Sequence, residues 1–228
     1  GNDNNSGLSP EQPLATLQRA LSLAQPGNTI WLHAGQYYEA VTIPRSGSPD
    51  NPIIIRNAPG EKAILDGRDT SFTPFWSLYD SIKQIYRTTC SQEYYLVFYN
   101  GEHLFRYWNL DDLINNRWNQ PGGFYSDGNY LYVLFPHRHV PGPQDTIIVP
   151  AYTTAIYCEQ NYIYFIGLEF RYYGQDSYSR GIYFNNASYN LVDSCYFHHN
   201  NIGVAIKRGS HFNTIQHCQF NESPINTW

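Results

Sequence analysis

Methionine is absent from the 228 residues, position 1 included. The coding start is therefore expected to lie outside this stretch; secretory processing would account for that, and so would proteolytic trimming, with secretion the favoured expectation. Charge is scarce, at 14% of residues with a net of -5. Without a basic field to neutralise phosphates, general nucleic-acid binding is excluded. No apolar run approaches the roughly 18 residues that a membrane span requires. Cysteine is limited to Cys90, Cys158, Cys195 and Cys218. None of these forms a Cys-x-x-Cys pair, which argues against a redox enzyme. Lysine is limited to Lys62, Lys83 and Lys207.

What the chain has in quantity is aromatic residues, at 17%, with 21 tyrosines and 17 glycines. This mixture suits strands and turns better than long solvated helices. The spacing of Leu14, Leu17, Leu21 and Ala24 predicts one amphipathic helix over 10–25, ended by Pro26-Gly27. Short apolar segments then recur about every ten residues, at Thr29-Ile30-Trp31-Leu32, Val41-Thr42-Ile43, Ile53-Ile54-Ile55 and Ala63-Ile64-Leu65. Turn residues divide them: Ser46-Gly47, Asn51-Pro52, Ala58-Pro59-Gly60 and Asp66-Gly67.

The second half contains an internal repeat. Gly181, Ile182, Phe184, Ser188, Asn190, Val192, Cys195 and Phe197 align with Gly203, Val204, Ile206, Ser210, Asn213, Ile215, Cys218 and Phe220. A looser copy runs from Ala155 to Phe170. A period of about 22 to 23 residues implies a solenoid in which like residues stack about 4.8 Å apart. Residues 68–147 break the rhythm and read as an inserted β-rich subdomain. Asn100-Gly101 and Asp127-Gly128 mark hairpin turns there, because these pairs accept the positive φ of tight connections.

The stretches GNDNNSG, PLATLQRALSLAQPGNTIWLHAGQYYEAVTIPRSGS and NPIIIRNAPGEKAILDG resemble the amino-terminal signature of right-handed parallel β-helix proteins of the pectin-lyase-like superfamily. The resemblance implies an all-β fold: a right-handed parallel β-helix with an N-terminal capping helix. On this reading 1–67 form the cap and first coils, 68–147 the insertion, and 148–228 further coils. The last coil, ending in Pro224-Ile225-Asn226-Thr227-Trp228, lacks a capping segment and is expected to offer a surface for self-association.

A fold shared by lyases, hydrolases, epimerases and non-catalytic spikes does not itself name a reaction. The repeat places Glu159, Asn185 and Lys207 in one outward row, and Gln160, Asn186 and Arg208 in the next. The resemblance to polyuronate lyases implies a lysine base and an arginine that neutralises the substrate carboxylate. Lys207 and Arg208 supply those residue types, although Arg208 stands where that family has a serine. Glu159, Asn185, Tyr183, His211 and His217 are candidate substrate-binding residues. Tyrosines on the coils can stack on the apolar faces of sugars, or simply form good strands.

His198, His199, His211 and His217 crowd the last two coils. They spell no zinc motif and read as turn residues. Asp111-Asp112 falls in the insertion, Asp66 in the ILDG turn, and Asp176 and Asp193 read as isolated, so the gathered carboxylates of a glycoside hydrolase are missing. Calcium is a cofactor of several lyases of the superfamily, and here it would need scattered oxygen ligands. Cys195 and Cys218 lie one period apart, within reach of a disulfide, yet in-register side chains also stack without bonding. The expectation is an extracellular carbohydrate-active protein with polysaccharide as partner, a polysaccharide lyase if it is an enzyme. A non-catalytic structural or adhesive protein and a carbohydrate-binding module are the alternatives.

Overall fold

The computed structural model describes residues 1–222 and 225–227, the latter three by backbone alone. The uncapped end expected at 224–228 otherwise lies outside the described residues. The chain divides into two compact units. One comprises Gly1–Arg68, Tyr152–Gly174 and the chain from Tyr178 onward; the other comprises Asp69–Ala151 and Gln175–Ser177.

The first unit is a parallel β-helix built from three sheets of five strands each. Sheet A contains Thr29–Leu32, Ile53–Asn57, Ile163–Ile166, Leu191–Asp193 and Thr214–Gln216. Sheet B contains Gly35–Tyr37, Ala63–Asp66, Glu169–Arg171, Tyr196–His198 and Gln219–Asn221. Sheet C contains Val41–Thr42, Thr154–Cys158, Arg180–Asn185, Ile202–Lys207 and Ile225–Thr227. Each coil visits A, B and C in turn. The strands of successive coils pair in register, so inward side chains form rows. Ile55, Phe165, Val192 and Ile215 make one row; Leu65, Phe170, Phe197 and Phe220 make another. Val41, Ile156, Ile182 and Val204 make a third, on sheet C.

The sequence repeat is this register. Gly181 lacks a side chain for a steric reason, since a Cβ there would lie 2.7 Å from the Gly203 carbonyl oxygen and 2.8 Å from the Phe197 ring. The corners are turned by residues in the left-handed region at equivalent positions: Tyr162, Tyr189 and Phe212 after sheet C; Gly167, Ser194 and His217 after sheet A; Tyr172, His199 and Glu222 after sheet B. Most of these are not glycine, so each corner is mildly strained. Asparagines, Asn190 and Asn200 of them buried, offset that strain by bonding backbone groups of the coils beside them. Asn190 Oδ1 accepts from Ile163 N at 2.8 Å, Asn213 Oδ1 from Asn190 N at 3.0 Å, and Asn200 Oδ1 from Tyr173 N at 3.0 Å.

The helix spans only Leu17–Leu23, shorter than the spacing implies. Asp3 explains the difference: its carboxylate accepts from Ala15 N, Thr16 N and Thr16 Oγ1, tying down the segment before the helix. Thr16 then caps Arg19 N, and the Glu39 carboxylate accepts from Leu17 N and Gln18 N. Negative charge at a helix start is favourable.

In the second unit both expected hairpins form. Phe98–Tyr99 pairs antiparallel with Glu102–His103 across Asn100 and Gly101, both with positive φ. Gly123–Ser126 pairs with Tyr130–Leu134 across Gly128. Alternation along Tyr130–Leu134 sends Leu131 and Val133 into one core, and Tyr132 and Leu134 into another. A second short helix, Leu110–Ile114, capped by Asn109, carries Leu113 into that latter core. Its five residues are too few to show a helical period in the sequence.

Cys195 and Cys218 are free thiols. In-register stacking points both side chains the same way, each toward backbone carbonyls: Cys195 Sγ to Asp193 O at 3.4 Å, Cys218 Sγ to Gln216 O at 3.1 Å. The disulfide that the spacing left open is thus not formed.

Two predictions follow from this packing. Phe197 is fully buried between Phe170 and Phe220, with ring centroids at 4.7 and 5.0 Å and planes within 7° of parallel. Phe197→Ala should cost about 3–5 kcal/mol, read by chemical denaturation. In the insertion, burial pushes the Asp145 carboxyl up, but hydrogen bonds from Gly142 N, Tyr99 Oη and His139 outweigh it and hold the group down to about 2. A depressed carboxylate stabilises the fold above its unfolded pKa, and that stability is lost as pH falls from about 4 toward 2. Asp145→Asn should flatten the acid limb of the melting temperature over that window.

Candidate functional site

Two outward faces of the β-helix carry chemistry. On sheet C, the register pairs Asn185 with Lys207 and sets Glu159 beside Asn185 on the preceding coil. Asn185 Nδ2 donates to Glu159 Oε1 at 2.5 Å and to Tyr157 Oη at 2.9 Å, and Tyr157 Oη donates to the same carboxylate oxygen. The hydrogen bond from Tyr157, that from Asn185 and the charge of Arg208 together lower the Glu159 pKa. The carboxylate is thereby fixed as an acceptor.

Tyrosines surround the row. Tyr157 and Tyr183 meet edge to face at 5.6 Å, and the Tyr183 hydroxyl reaches Asn185 Oδ1. The Arg180 guanidinium lies 4.1 Å over the Tyr183 ring, and Lys207 Nζ stands 5.8 Å from the ring of Tyr178, which is exposed. Arg208 follows Lys207 in the left-handed conformation and is exposed.

The structure therefore gathers Glu159, Asn185, Tyr183 and Lys207, with Arg208 adjacent in the chain. It places His211 and His217 elsewhere. His211 sits on the corner before the next sheet A strand, where its N–H meets Ser188 Oγ at 3.0 Å. His217 occupies the corner after sheet A, with Nδ1 3.0 Å from Asp193 Oδ1. Asp193 also accepts from Gln216 and Ser194, so it is not isolated. The row does not fit calcium: its single carboxylate is already ringed by donors, whereas calcium takes six to eight oxygen ligands.

The sequence reading missed the second face, on sheet B. Asp66 is fully buried and is held by Arg68 at 2.8 Å and Arg171 at 2.8 Å. Two positions back along the strand from Arg171, Glu169 is also buried, with Lys62 Nζ at 2.5 Å and His198 Nε2 at 2.9 Å. Burial raises the Glu169 pKa, but the bonds from Lys62 and His198 prevail and lower it overall. His198 is itself buried, and burial lowers its pKa. Next to it, His199 Nε2 lies 2.8 Å from Glu222 Oε2. His199 stands at the turn expected for it and His198 ends a strand, and both join a network with carboxylates that the sequence reading did not include. The partners come from strands before and after the insertion, so no local motif announces them; the ILDG aspartate followed by Arg68 was the only signal.

No family model matches the chain. Among curated proteins, it is 32% identical over 71 residues to the uncharacterized protein YwoF of Bacillus subtilis. It is 34% identical over 76 residues to the pectate lyase PEL9 of Emericella nidulans. These matches cover 31% and 32% of the chain, and 15% and 18% of the relatives, so the chain spans a small part of either. Among solved structures, XylC in complex with xylose superposes with a TM-score of 0.67 at 17% identity, over 90% of this chain and 40% of that one. Pectate lyase Pel9A gives 0.50 at 21%, over 94% and 36%. With the three parallel sheets, these likenesses establish the fold as a pectin-lyase-like parallel β-helix.

Removing one partner from a buried ion cluster leaves the others uncompensated. Asp66→Asn should therefore lower unfolding free energy by about 3 kcal/mol in urea titration.

Proposed function

We propose that the chain belongs to an extracellular carbohydrate-active protein that receives an acidic polysaccharide along sheet C and cleaves it by β-elimination at a uronate. The observation that carries this reading is the in-register row of Glu159, Asn185 and Lys207, flanked by the rings of Tyr157, Tyr183 and Tyr178. Stacked coils repeat such positions every ~4.8 Å, so a polymer lying along the stack meets a periodic surface. Lys207, Arg208 and Arg180 outnumber Glu159 on this face, which favours an anionic chain. The likeness to pectate lyase PEL9 supports the same substrate class, and the tyrosine-rich, lysine-poor composition supports an extracellular setting.

In the proposed reaction the Lys207 amine takes the proton from the carbon beside the uronate carboxyl. The electron pair left behind forms a carbon–carbon double bond as the adjacent bond to the glycosidic oxygen breaks. The departing oxygen takes a proton from water. Arg208 offsets the charge that builds on the carboxylate, and this is where electrostatic help counts most. Glu159, pinned by Tyr157 and Asn185, accepts hydrogen bonds from sugar hydroxyls.

The test is a panel of acidic and neutral polysaccharides, with and without calcium, followed by the ultraviolet absorbance of unsaturated uronate and by new reducing ends. Acidic polymers should yield the absorbance, and Lys207→Ala should lower the rate at least 100-fold, in the range of a general base. Reducing ends without absorbance would replace elimination by hydrolysis. Retention of the polymer without either product would make the chain a binding module, and full activity in Lys207→Ala would refute the assignment of the base.

A further inference from the structure

The corner after sheet B holds three side chains from two consecutive coils that converge on one point. His198 ends the strand Tyr196–His198; His199 and Glu222 occupy the equivalent left-handed corner positions of successive coils. Their ligating atoms all lie within 4.8 Å of one another. His198 Nδ1 and His199 Nδ1 are 2.6 Å apart. The ring of Tyr172, at the same corner of the preceding coil, lies 5.2 Å from that of His199.

Proton bookkeeping makes this cluster unusual. Glu169 meets His198 Nε2, His198 Nδ1 meets His199 Nδ1, and His199 Nε2 meets Glu222. Three contacts need three protons, yet two neutral imidazoles bring two. One more positive charge is required, either a proton or a metal ion. Glu169, buried and fixed by Lys62, accepts from His198 Nε2 and so leaves the Nδ1 lone pair facing the cluster. A carboxylate behind the far nitrogen of a histidine is the usual support of a metal-ligating imidazole.

We propose that His198, His199 and Glu222 bind a divalent transition-metal ion, zinc by donor type, as a clasp between consecutive coils. Two imidazoles and one carboxylate make a recognised zinc donor set, with a fourth position left for water. Calcium and magnesium prefer oxygen-only sites and are discriminated against. Zinc bonds of about 2.0–2.1 Å require the ligating atoms to shift modestly. Glu222, with 60% of its side chain exposed, has the freedom to do so. The clasp stands apart from the proposed polysaccharide row, so it is independent of that reading.

The test uses the full chain without a histidine tag, incubated separately with zinc, calcium and magnesium chloride and freed of excess metal by gel filtration. The expected result is one zinc retained per chain, little calcium or magnesium, and a zinc-dependent rise in melting temperature. Cobalt(II) in the same site should show the visible absorption of low-coordinate cobalt. His199→Gln and Glu222→Gln should each weaken zinc binding at least tenfold. Because Glu222 is exposed, its variant leaves the coils intact and keeps the comparison clean. No retained zinc, or zinc binding unchanged in both variants, overturns the site; the latter would point to the free thiols Cys195 and Cys218.

Discussion

In-register stacking is the constraint from which the rest of the β-helix follows. Each strand pairs with the strand one coil away, so whatever side chain stands on one coil must fit directly over its neighbour. Inside, aliphatic and aromatic residues stack on their own kind, as Phe170, Phe197 and Phe220 do. At the corners the same repetition forces left-handed backbone on residues as bulky as Tyr162, Tyr189 and Phe212. Asparagine amides then supply bonds that the turned backbone would otherwise lack.

That constraint also explains what could be read from the residues alone. The pairing of Gly181 with Gly203 and Asn190 with Asn213 survives as a sequence repeat because both members obey the same local geometry. From it the outward row of Glu159, Asn185 and Lys207 could be placed correctly. The corner conformation of Tyr172 and His199 could not, because neither is a residue type that normally marks positive φ. The charged face on sheet B was equally hidden. Its pairs join Asp66 to Arg171 across 105 residues, and no spacing rule reaches across an insertion of that size.

The two faces use their polar groups in opposite ways. On sheet B, Asp66 and Glu169 are buried and answered by Arg68, Arg171, Lys62 and His198. Such charge is committed to holding coils together, and its cost of desolvation is offset by near-complete pairing. On sheet C the tyrosines are only half-buried, and Lys207 and Arg208 reach the surface. Polar groups that keep contact with water can exchange it for the hydroxyls and carboxylates of a sugar at little net cost.

The seam between Ala63–Asp66 and Glu169–Arg171 bears on the order in which the chain assembles. Later seams close loops of 23 to 27 residues, whereas this one closes a loop of 105. The difference in loop-closure entropy is only about 1.3 kcal/mol if the intervening chain is flexible. A folded insertion shortens the effective loop further, because the ends of a compact unit are held at a fixed separation. Assembly can therefore begin independently on either side, in the cap with its first coils and in the repeats from Thr154 onward, with this seam joined last.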